Sequence, residues 1–323
     1  RARRAWEKAW KVSLSPDPGL DAVRMVEEAE KGNLRALYVM GENPVRSLPQ
    51  QDRVKKALRG LDFLVVQDIL NTETAQMAHM VLPGAAFSEK QGSFTSMEGR
   101  INRFKPVVTP PGESLPDWKI LDDLSQGLGN RKPFGSLNRI REEMAHFIPP
   151  YADLIKPLEQ QWAWVKNHCN TRLFSDDHEG ALIPFSSLGK IQSETFNEAY
   201  PLTAVLGTQR FHLGSGTRTD SSRRIVNFHV PGTVAVSPED SQSLNVKEGD
   251  RVRLESEQGL VMRKIHVEMN LPRGIVFLTT GVHGNDVLNL MALVGTEHSE
   301  YQGFNTCRVR LDRQEGEDET ETD

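Results

Sequence analysis

The sequence is poor in cysteine and has no long apolar run. Its 323 residues include only Cys169 and Cys307, too few for a disulfide framework and without the spacing of metal ligands. We therefore expect two free thiols in a reducing compartment and a cytoplasmic protein. No stretch of about 18 apolar residues occurs and no signal-peptide pattern is visible, so we expect no direct membrane insertion.

Acidic residues are in excess only at one end of the chain. The formal net charge is -5, but residues 312 to 323 hold seven acidic side chains and a single arginine. We expect these residues to form a solvated, disordered acidic tail. The rest of the chain is nearly neutral, and we expect no nucleic-acid partner.

The chain begins with Arg1 in a basic stretch, RARRAWEKAWKV. Such a stretch can be an amphipathic helix that touches a membrane, but a solvated helix anchored by Trp6 and Trp10 is the simpler interpretation. Because the chain starts inside an element, we expect it to be a piece of a longer polypeptide.

Residues 1 to 130 have the pattern of an α/β domain. Helices are predicted at GLDAVRMVEEAEKG, SLPQQDRVKKALRG and TETAQMA, and Ser47 and Gln50 have the spacing of a capping box. Strands are predicted at LRALYVM, LDFLVVQDI and HMVLP, the first two buried on both faces. This alternation predicts a parallel, Rossmann-like sheet covered by helices.

Polar residues follow each predicted strand, where parallel sheets bind ligands. Gly41, Glu42 and Asn43 follow the first strand, and Gln67 and Asp68 follow the second. The third corner is long and rich in glycine; its charged residues are Glu89, Lys90, Glu98, Arg100 and Arg103. An ordinary solvated loop is the alternative there. A helix is predicted at PDWKILDDLSQGLG, where Asp117 is consistent with a simple N-cap or with a ligand contact.

The second half of the chain changes from helical to strand periodicity. After a predicted helix at SLNRIREEMAHFI, residues 131 to 197 read as an interdomain connection. Six short β-branched runs within 198 to 311 predict a small closed β-barrel. Between its first two strands lies GTQRFHLGSGTRTDSSRRI, whose glycines, hydroxyls and arginines suit a phosphate or pyrophosphate. A lone G-S-G-T is weak evidence, and a single histidine such as His212 is more often a structural core or loop histidine than a ligand.

Taken together, these motifs resemble the molybdopterin oxidoreductases. LYVMGENP, FLVVQDI, the stretch from TETAQMA to INRF, and DW at 117 and 118 are similar to the third domain of formate dehydrogenase catalytic subunits. They also resemble the large iron–sulfur subunit of respiratory complex I. The segment from YPLTAVLGTQRFHLGSGTRT to NTCRVRL resembles the molybdopterin-dinucleotide-binding double-psi β-barrel at the carboxyl end of those proteins.

The resemblance implies a bis-molybdopterin guanine dinucleotide carrying Mo or W, clamped between the domains. Guanine contacts would come from Asp68 and Asp117, because a carboxylate can accept from the N1–H and N2–H₂ donors together, and a phosphate contact from Lys90. The full set of cofactor-binding residues that it implies is Asn43, Gln67, Asp68, Lys90, Asp117, Gly207, Thr208, Gln209, Arg210, His212, Ser215, Gly216, Thr217, Asn289 and Asn305. At Asn305 the chain lacks a lysine that some relatives carry nearby.

The resemblance also implies an enzyme whose metal ligand and iron–sulfur cysteines lie outside this chain. We expect the carboxyl-terminal half of a molybdopterin-dependent oxidoreductase, most closely one that converts formate to CO2 with two-electron transfer to iron–sulfur clusters. Its partners would be an N-terminal half or split subunit with the metal ligand, and iron–sulfur or flavin electron-transfer subunits. The alternatives are a cofactor-free structural subunit, as in complex I, and a free-standing nucleotide-binding module.

Overall fold

The structure is a computed structural model that describes residues 2–129, 132–148, 151–152, 155, 162–164, 198–208, 210–212, 214–226, 232–294 and 305–314. It divides into two compact units. The first consists of Arg1–Gly19, Gln67–Ile69 and Leu82–Ile191, and the second of Leu20–Val66, Leu70–Val81 and Gln192–Asp323.

The described residues form both helices and strands. The helices are α1 Ala2–Trp10, α2 Ala22–Glu30, α3 Pro44–Ser47, α4 Gln51–Arg59, α5 Asp117–Gly127, α6 Leu137–Phe147, α7 Thr217–Asp220, α8 Arg223–Val226 and α9 Pro238–Ser243, with 3-10 segments at Ala75–Met77 and His283–Leu290. The strands are β1 Ala36–Met40, β2 Phe63–Asp68, β3 Met80–Pro83, β4 Gly92–Thr95, β5 Arg100–Phe104, β6 Trp162–Trp164, β7 Leu202–Thr208, β8 Thr233–Val236, β9 Arg251–Glu255, β10 Leu260–Val267, β11 Ile275–Thr280 and β12 Thr306–Arg313.

The predicted parallel sheet is present, with the strand order β1-β2-β3. β2 is buried along most of its length, but β1 buries only Val39, so the prediction that β1 is buried on both faces was wrong. In the described part of the chain β1 is an edge strand of this sheet, and Val39 is its one fully buried contribution to the core formed with α2 and α4. The core beside the sheet comes from the apolar faces of α2 and α4, which bury Val23, Val26 and Val54.

The predicted capping box of α4 is also absent. A separate short helix, α3, begins with Pro44 at its first position and ends at Ser47, so Ser47 cannot cap α4. Gln50 takes the N-cap position of α4 in a left-handed conformation, φ 54°, and its side chain makes no capping hydrogen bond.

The barrel follows the predicted strands closely. It is closed in the order β10-β8-β11-β7-β12-β9. β7 pairs in parallel with β11, in register Thr203 with Ile275, and antiparallel with β12, in register Val205 with Thr306. Alternate residues of β7 point into the core, which also takes Leu254 and Leu278. β12 extends through Arg313, two residues into the segment predicted as an acidic tail, and residues 315–323 lie outside the described residues.

The first unit contains α1, α5, α6 and the antiparallel sheet β4-β5-β6. Trp6 stacks on Trp10 and Phe147 at centroid distances of 4.7 and 5.0 Å, and Trp10 Nε1 donates to Glu143 at 2.7 Å, so the tryptophans anchor α1 on α6. β6 lies inside the segment predicted as an irregular connection, and most of residues 149–197 lie outside the described residues. No helix among the described residues is long and apolar enough to cross a membrane.

Candidate cofactor site

The first unit brings three predicted site residues together, and we name Gln67, Lys90 and Asp117 the Asp117 cluster. Asp117 Oδ1 accepts from Gln67 Nε2 at 2.7 Å, and Asp117 Oδ2 pairs with the Lys90 ammonium group. Gln67 is fully buried, while the side chains of Lys90 and Asp117 are 18% and 37% exposed. The buried Gln67 side chain therefore holds the Asp117 carboxylate in place, while the carboxylate itself remains partly exposed to solvent.

Backbone pairing explains why Asp117 lies beside the loop after β3. Leu115 N donates to Pro83 O at 3.1 Å, and Ala85 N donates to Leu115 O at 2.8 Å, which binds the start of α5 to that loop. Pro116 takes the N-cap position and Asp117 is the first helical residue, so Asp117 is not the N-cap. Its carboxylate accepts from side chains instead of capping the helix.

The carboxylate of Asp117 keeps capacity for a ligand. An ionised carboxylate has about four lone-pair sites, two on each oxygen, and the protein uses one site on Oδ1 and one on Oδ2. The two remaining sites match the paired N1–H and N2–H₂ donors of guanine. The residues present therefore fit the guanine end of a molybdopterin guanine dinucleotide.

Gly84 lies directly against the carboxylate of Asp117. A Cβ on Gly84 would lie 3.3 Å from Asp117 Oδ1 and 3.6 Å from the carbonyl oxygen of Asp68. Gly84 N donates to that same carbonyl at 2.9 Å. The predicted site residue Asp68 thus contacts the loop through its backbone, while its Oδ1 accepts from Ile69 N at 2.6 Å.

The second unit contains a denser set of polar contacts, the Arg46 cluster, formed by Asn43, Arg46, Glu73, Thr217 and Asp220. Arg46 is buried; its side chain forms ion pairs with Asp220 and, at 3.7 Å, with Glu73. The cluster joins α3 to Thr217 and Asp220, which lie between β7 and β8 in the glycine-rich segment that we call the barrel loop.

Asn43 is saturated by its neighbours within this cluster. Its Nδ2 donates to Glu73 at 2.6 Å and to Thr217 Oγ1 at 3.2 Å, and its Oδ1 accepts from the amide and hydroxyl of Thr74 at 3.3 and 2.7 Å. An asparagine amide has two donors and two acceptor sites, so all four are occupied. In this arrangement Asn43 orients the loop rather than offering a free group to a ligand.

The glycine-rich barrel loop folds into a tight turn. Gly216 has φ 77°, and a Cβ there would lie 1.8 Å from Gly281 O, so only glycine fits. Ser215 Oγ lies 2.9 Å from Thr217 Oγ1, and Gly214 is exposed with no atom near its Cβ position. An exposed backbone beside two hydroxyls fits a phosphate-bearing ligand.

His212 lies beneath this turn. It is 1% exposed, and its Nδ1 lies 3.0 Å from Thr219 Oγ1 and 3.8 Å from Asp220. Gly207 lies on β7 against Phe277, where a Cβ would meet the ring at 2.5 Å. His212 is therefore buried against the helix that follows the turn, and Gly207 leaves room for the Phe277 ring on the face of β7 opposite its core-facing residues.

The remaining predicted site residues lie in different settings. Thr208 and Arg210 are exposed, and the Arg210 guanidinium lies 5.7 Å above the Phe211 ring. Asn289 Oδ1 accepts from Gln51 N at 2.8 Å, so it contacts the start of α4. Asn305 is exposed and accepts from Leu206 N through its carbonyl at 2.7 Å. Gln209 lies outside the described residues.

Sequence reasoning missed the residues that tie the Arg46 cluster together, above all Arg46, Glu73 and Asp220. Arg46 follows Asn43 by three positions, so one turn of helix places both on the same side of α3. The three-residue spacing could therefore have indicated that Arg46 belongs to the same site as Asn43. Nothing in the sequence indicated that Asp220, 174 residues later, is its partner.

Two further arginines lie close together in the first unit. Burial lowers the pKa of Arg103 on β5, and burial together with the positive charge of Arg103 lowers the pKa of Arg141 on α6.

Among the described residues, no group of three His, Cys, Asp or Glu side chains has a geometry that could hold a metal ion.

Two family models match the chain in the order that the fold shows. The model described as "Molybdopterin oxidoreductase" matches residues 4–127, and that described as "Molydopterin dinucleotide binding domain" matches residues 202–308. Both site clusters draw residues from these segments. The second match supports a molybdopterin-type cofactor.

Individual relatives agree with these models. The chain is 33% identical to the F420-dependent formate dehydrogenase subunit alpha of Methanocaldococcus jannaschii, over 95% of this chain and 47% of the relative. It is 30% identical to the NADPH-Fe(3+) oxidoreductase subunit alpha of Geobacter sulfurreducens, over 90% and 32%, and 27% identical to the assimilatory nitrate reductase catalytic subunit of Bacillus subtilis, over 94% and 46%. The chain thus spans about half the length, or less, of the curated relatives it matches.

A solved structure shows the same fold. Acetylene hydratase from Pelobacter acetylenicus matches with a TM-score of 0.70 and 14% identity, over 97% of this chain and 50% of that chain. Since two family models match in sequence and a relative is 33% identical along 95% of the chain, the chain belongs to the molybdopterin oxidoreductase family.

Proposed function

We propose that this chain binds a bis-molybdopterin guanine dinucleotide and that the protein containing it is a molybdenum or tungsten formate dehydrogenase. The observation that carries the cofactor proposal is the Asp117 carboxylate, held by Gln67 and Lys90 with two acceptor sites left over. The substrate proposal is supported by the identity to formate dehydrogenase alpha subunits. The nitrate reductase and NADPH-Fe(3+) oxidoreductase relatives are the reason that the substrate needs its own test.

The residues of this chain would bind and orient the cofactor. Asp117 accepts the guanine donors, and Lys90 keeps two unused N–H donors for a phosphate oxygen while holding Asp117 in place. In the second unit, the exposed backbone at Gly214 and the hydroxyl of Ser215 would offer hydrogen-bond donors to a phosphate group. The bound cofactor supplies the two-electron redox chemistry at its metal.

The metal ligand and the iron–sulfur cysteines would come from other polypeptide. We propose an N-terminal half or split subunit that completes the cofactor cage, and iron–sulfur or flavin subunits that accept the electrons. The relatives named as alpha subunits support this arrangement. Mass spectrometry of the native complex tests it, and a monodisperse 323-residue monomer with no further polypeptide would contradict it.

Cofactor content and activity are measured separately on the native protein. Acid release of GMP and of oxidised pterin measures the dinucleotide, and metal analysis distinguishes Mo from W. Reduction of an oxidised dye with formate as the only electron donor tests the formate reaction, and oxidation of a reduced dye with nitrate as the only electron acceptor tests the alternative. We expect guanine dinucleotide and formate-dependent reduction. Dinucleotide with activity on another substrate alone would overturn the formate proposal, and complete absence of pterin would favour the cofactor-free structural subunit.

A further inference from the structure

The guanidinium of Arg46 connects α3 to both ends of the turn at Gly216. Arg46 Nε donates to Ser215 O at 2.7 Å, just before the turn, and Arg46 Nη2 pairs with Asp220 just after it. Arg46 Nη2 also lies 3.4 Å from Gly281 O, the carbonyl against which Gly216 packs. One side chain therefore contacts a residue on each side of Gly216 and the carbonyl against which Gly216 packs.

The main chain of Arg46 closes the same arrangement. Asn285 Nδ2 donates to Arg46 O at 2.9 Å, and Asn285 Oδ1 accepts from Gly281 N at 2.8 Å. Asn285 holds a left-handed conformation, φ 61°, to make both contacts. Arg46 thus joins α3, the turn and the segment after β11 into one hydrogen-bonded ring.

The charges around Arg46 argue against a direct contact with phosphate. Its side chain is only 8% exposed, and the carboxylates of Asp220 and Glu73 both lie within ion-pair distance. A guanidinium that is buried and already neutralised offers little to a further anion. Its planar fork of donors suits the simultaneous holding of a carboxylate and a carbonyl, which a lysine cannot reproduce.

We propose that Arg46 is a positioning residue that fixes residues 214–220 through Ser215 O and Asp220 and thereby sets the shape of the loop that receives the dinucleotide. The inference rests on the proposed function only for what the loop binds. The holding of the loop by Arg46 is testable by itself.

The chain offers a matched control in the barrel. Arg263 on β10 is equally buried, with a side chain 5% exposed, pairs with Asp286 and donates to Met262 O at 2.7 Å. It makes none of the contacts to residues 214–220 that Arg46 makes. Arg263→Gln therefore removes a similar buried ion pair without touching the loop directly.

The experiment compares Arg46→Gln, Asp220→Asn, the double variant and Arg263→Gln in the native protein. Hydrogen exchange of the amides in 214–226 reports loop order, and released GMP per chain reports dinucleotide content. Because charged hydrogen bonds are lost, we expect about tenfold faster exchange in this loop and about tenfold lower content in Arg46→Gln. Asp220→Asn should have a smaller effect in the same direction. The double variant should show the same loop exchange and dinucleotide content as Arg46→Gln, since both single changes remove the same ion pair between Arg46 and Asp220.

Arg263→Gln should leave exchange in 214–226 and dinucleotide content close to the unmutated values. Arg46→Lys should recover part of both readouts, because the ammonium can still pair with Asp220. Unchanged loop exchange in Arg46→Gln, or equal loss of dinucleotide in Arg263→Gln, would overturn the proposal. Should Arg46→Gln fail to fold, Asp220→Asn decides by the same two readouts. Absence of dinucleotide from the unmutated protein would defeat the proposed function, while loop exchange still decides whether Arg46 holds the turn.

Discussion

The two polar clusters differ in how much hydrogen-bonding capacity they leave for a ligand. In the Asp117 cluster, one half-exposed carboxylate meets two donors and keeps two acceptor sites. In the Arg46 cluster, Asn43 is saturated and Arg46 is buried between carboxylates. Polar residues in such clusters therefore differ in what they leave available, since some keep hydrogen-bonding sites open to a ligand and others use all of theirs to hold the backbone in place.

The largest effect is expected from Gly216→Ala, in the turn that the Arg46 cluster holds. The new Cβ would overlap Gly281 O, and the positive φ disfavours any residue with a Cβ, so overpacking and strain together should lower the free energy of unfolding by about 2–5 kcal/mol. Thermal unfolding of the native protein measures it. Gly214→Ala is the control, because its φ is also positive but its Cβ position is open. Equal loss in both variants would show that the contact with Gly281 is not what requires glycine.

The next effect is expected in the Asp117 cluster, from Asp117→Asn. The amide keeps the shape but loses the charge that pairs with Lys90 and one of the acceptor oxygens for guanine. A charged hydrogen bond contributes about 1.5–3 kcal/mol, so GMP content per chain should fall about tenfold or more. Asp123→Asn on the same helix is the control, because Asp123 is exposed and pairs only locally with Lys119. An unchanged GMP content in Asp117→Asn would contradict the proposal that the open acceptor sites of Asp117 bind guanine.

A smaller loss is expected from Gly84→Ala. Its Cβ would approach Asp117 Oδ1 to 3.3 Å and push the carboxylate away from its present rotamer. A displacement of that kind costs about 0.5–1.5 kcal/mol, so we expect GMP content to fall about two- to tenfold. Gly127→Ala, at the end of α5 with no atom within 4 Å, should leave it unchanged. A larger loss of GMP in Gly127→Ala than in Gly84→Ala would contradict the role given to the Asp117 carboxylate.

The smallest effect is expected from Arg100→Ala. Arg100 pairs with Glu98 at 3.4 Å, and both side chains are largely exposed. Such pairs contribute about 0–1 kcal/mol, so stability and GMP content should change little. A loss of GMP as large as that of Asp117→Asn would instead indicate that the segment after β4 contacts the ligand, contrary to the role given to the Asp117 cluster.

Local pattern was sufficient to predict the barrel and insufficient to predict the Arg46 cluster. Leu202, Ala204 and Leu206 alternate along β7, and alternation of this kind is legible in the sequence. The apolar run of β1 gives no such alternation, and its exposure at a sheet edge depends on what neighbours it. The contacts of Arg46 with Asp220 and Gly281 join residues 174 and 235 positions apart, beyond the reach of any local pattern.

The position of β12 in the barrel has a consequence for synthesis. β12 lies between β7 and β9, so without it the other five strands form an open sheet whose two edges are β7 and β9. β7 leaves the ribosome roughly a hundred residues before β12, a delay of about 5–20 s at ordinary elongation rates. From the synthesis of β9 until that of β12, both edges carry unpaired backbone groups that can join a neighbouring chain. Pairing of β12, the last of the six barrel strands in chain order, therefore ends the period in which the nascent barrel is most exposed to aggregation.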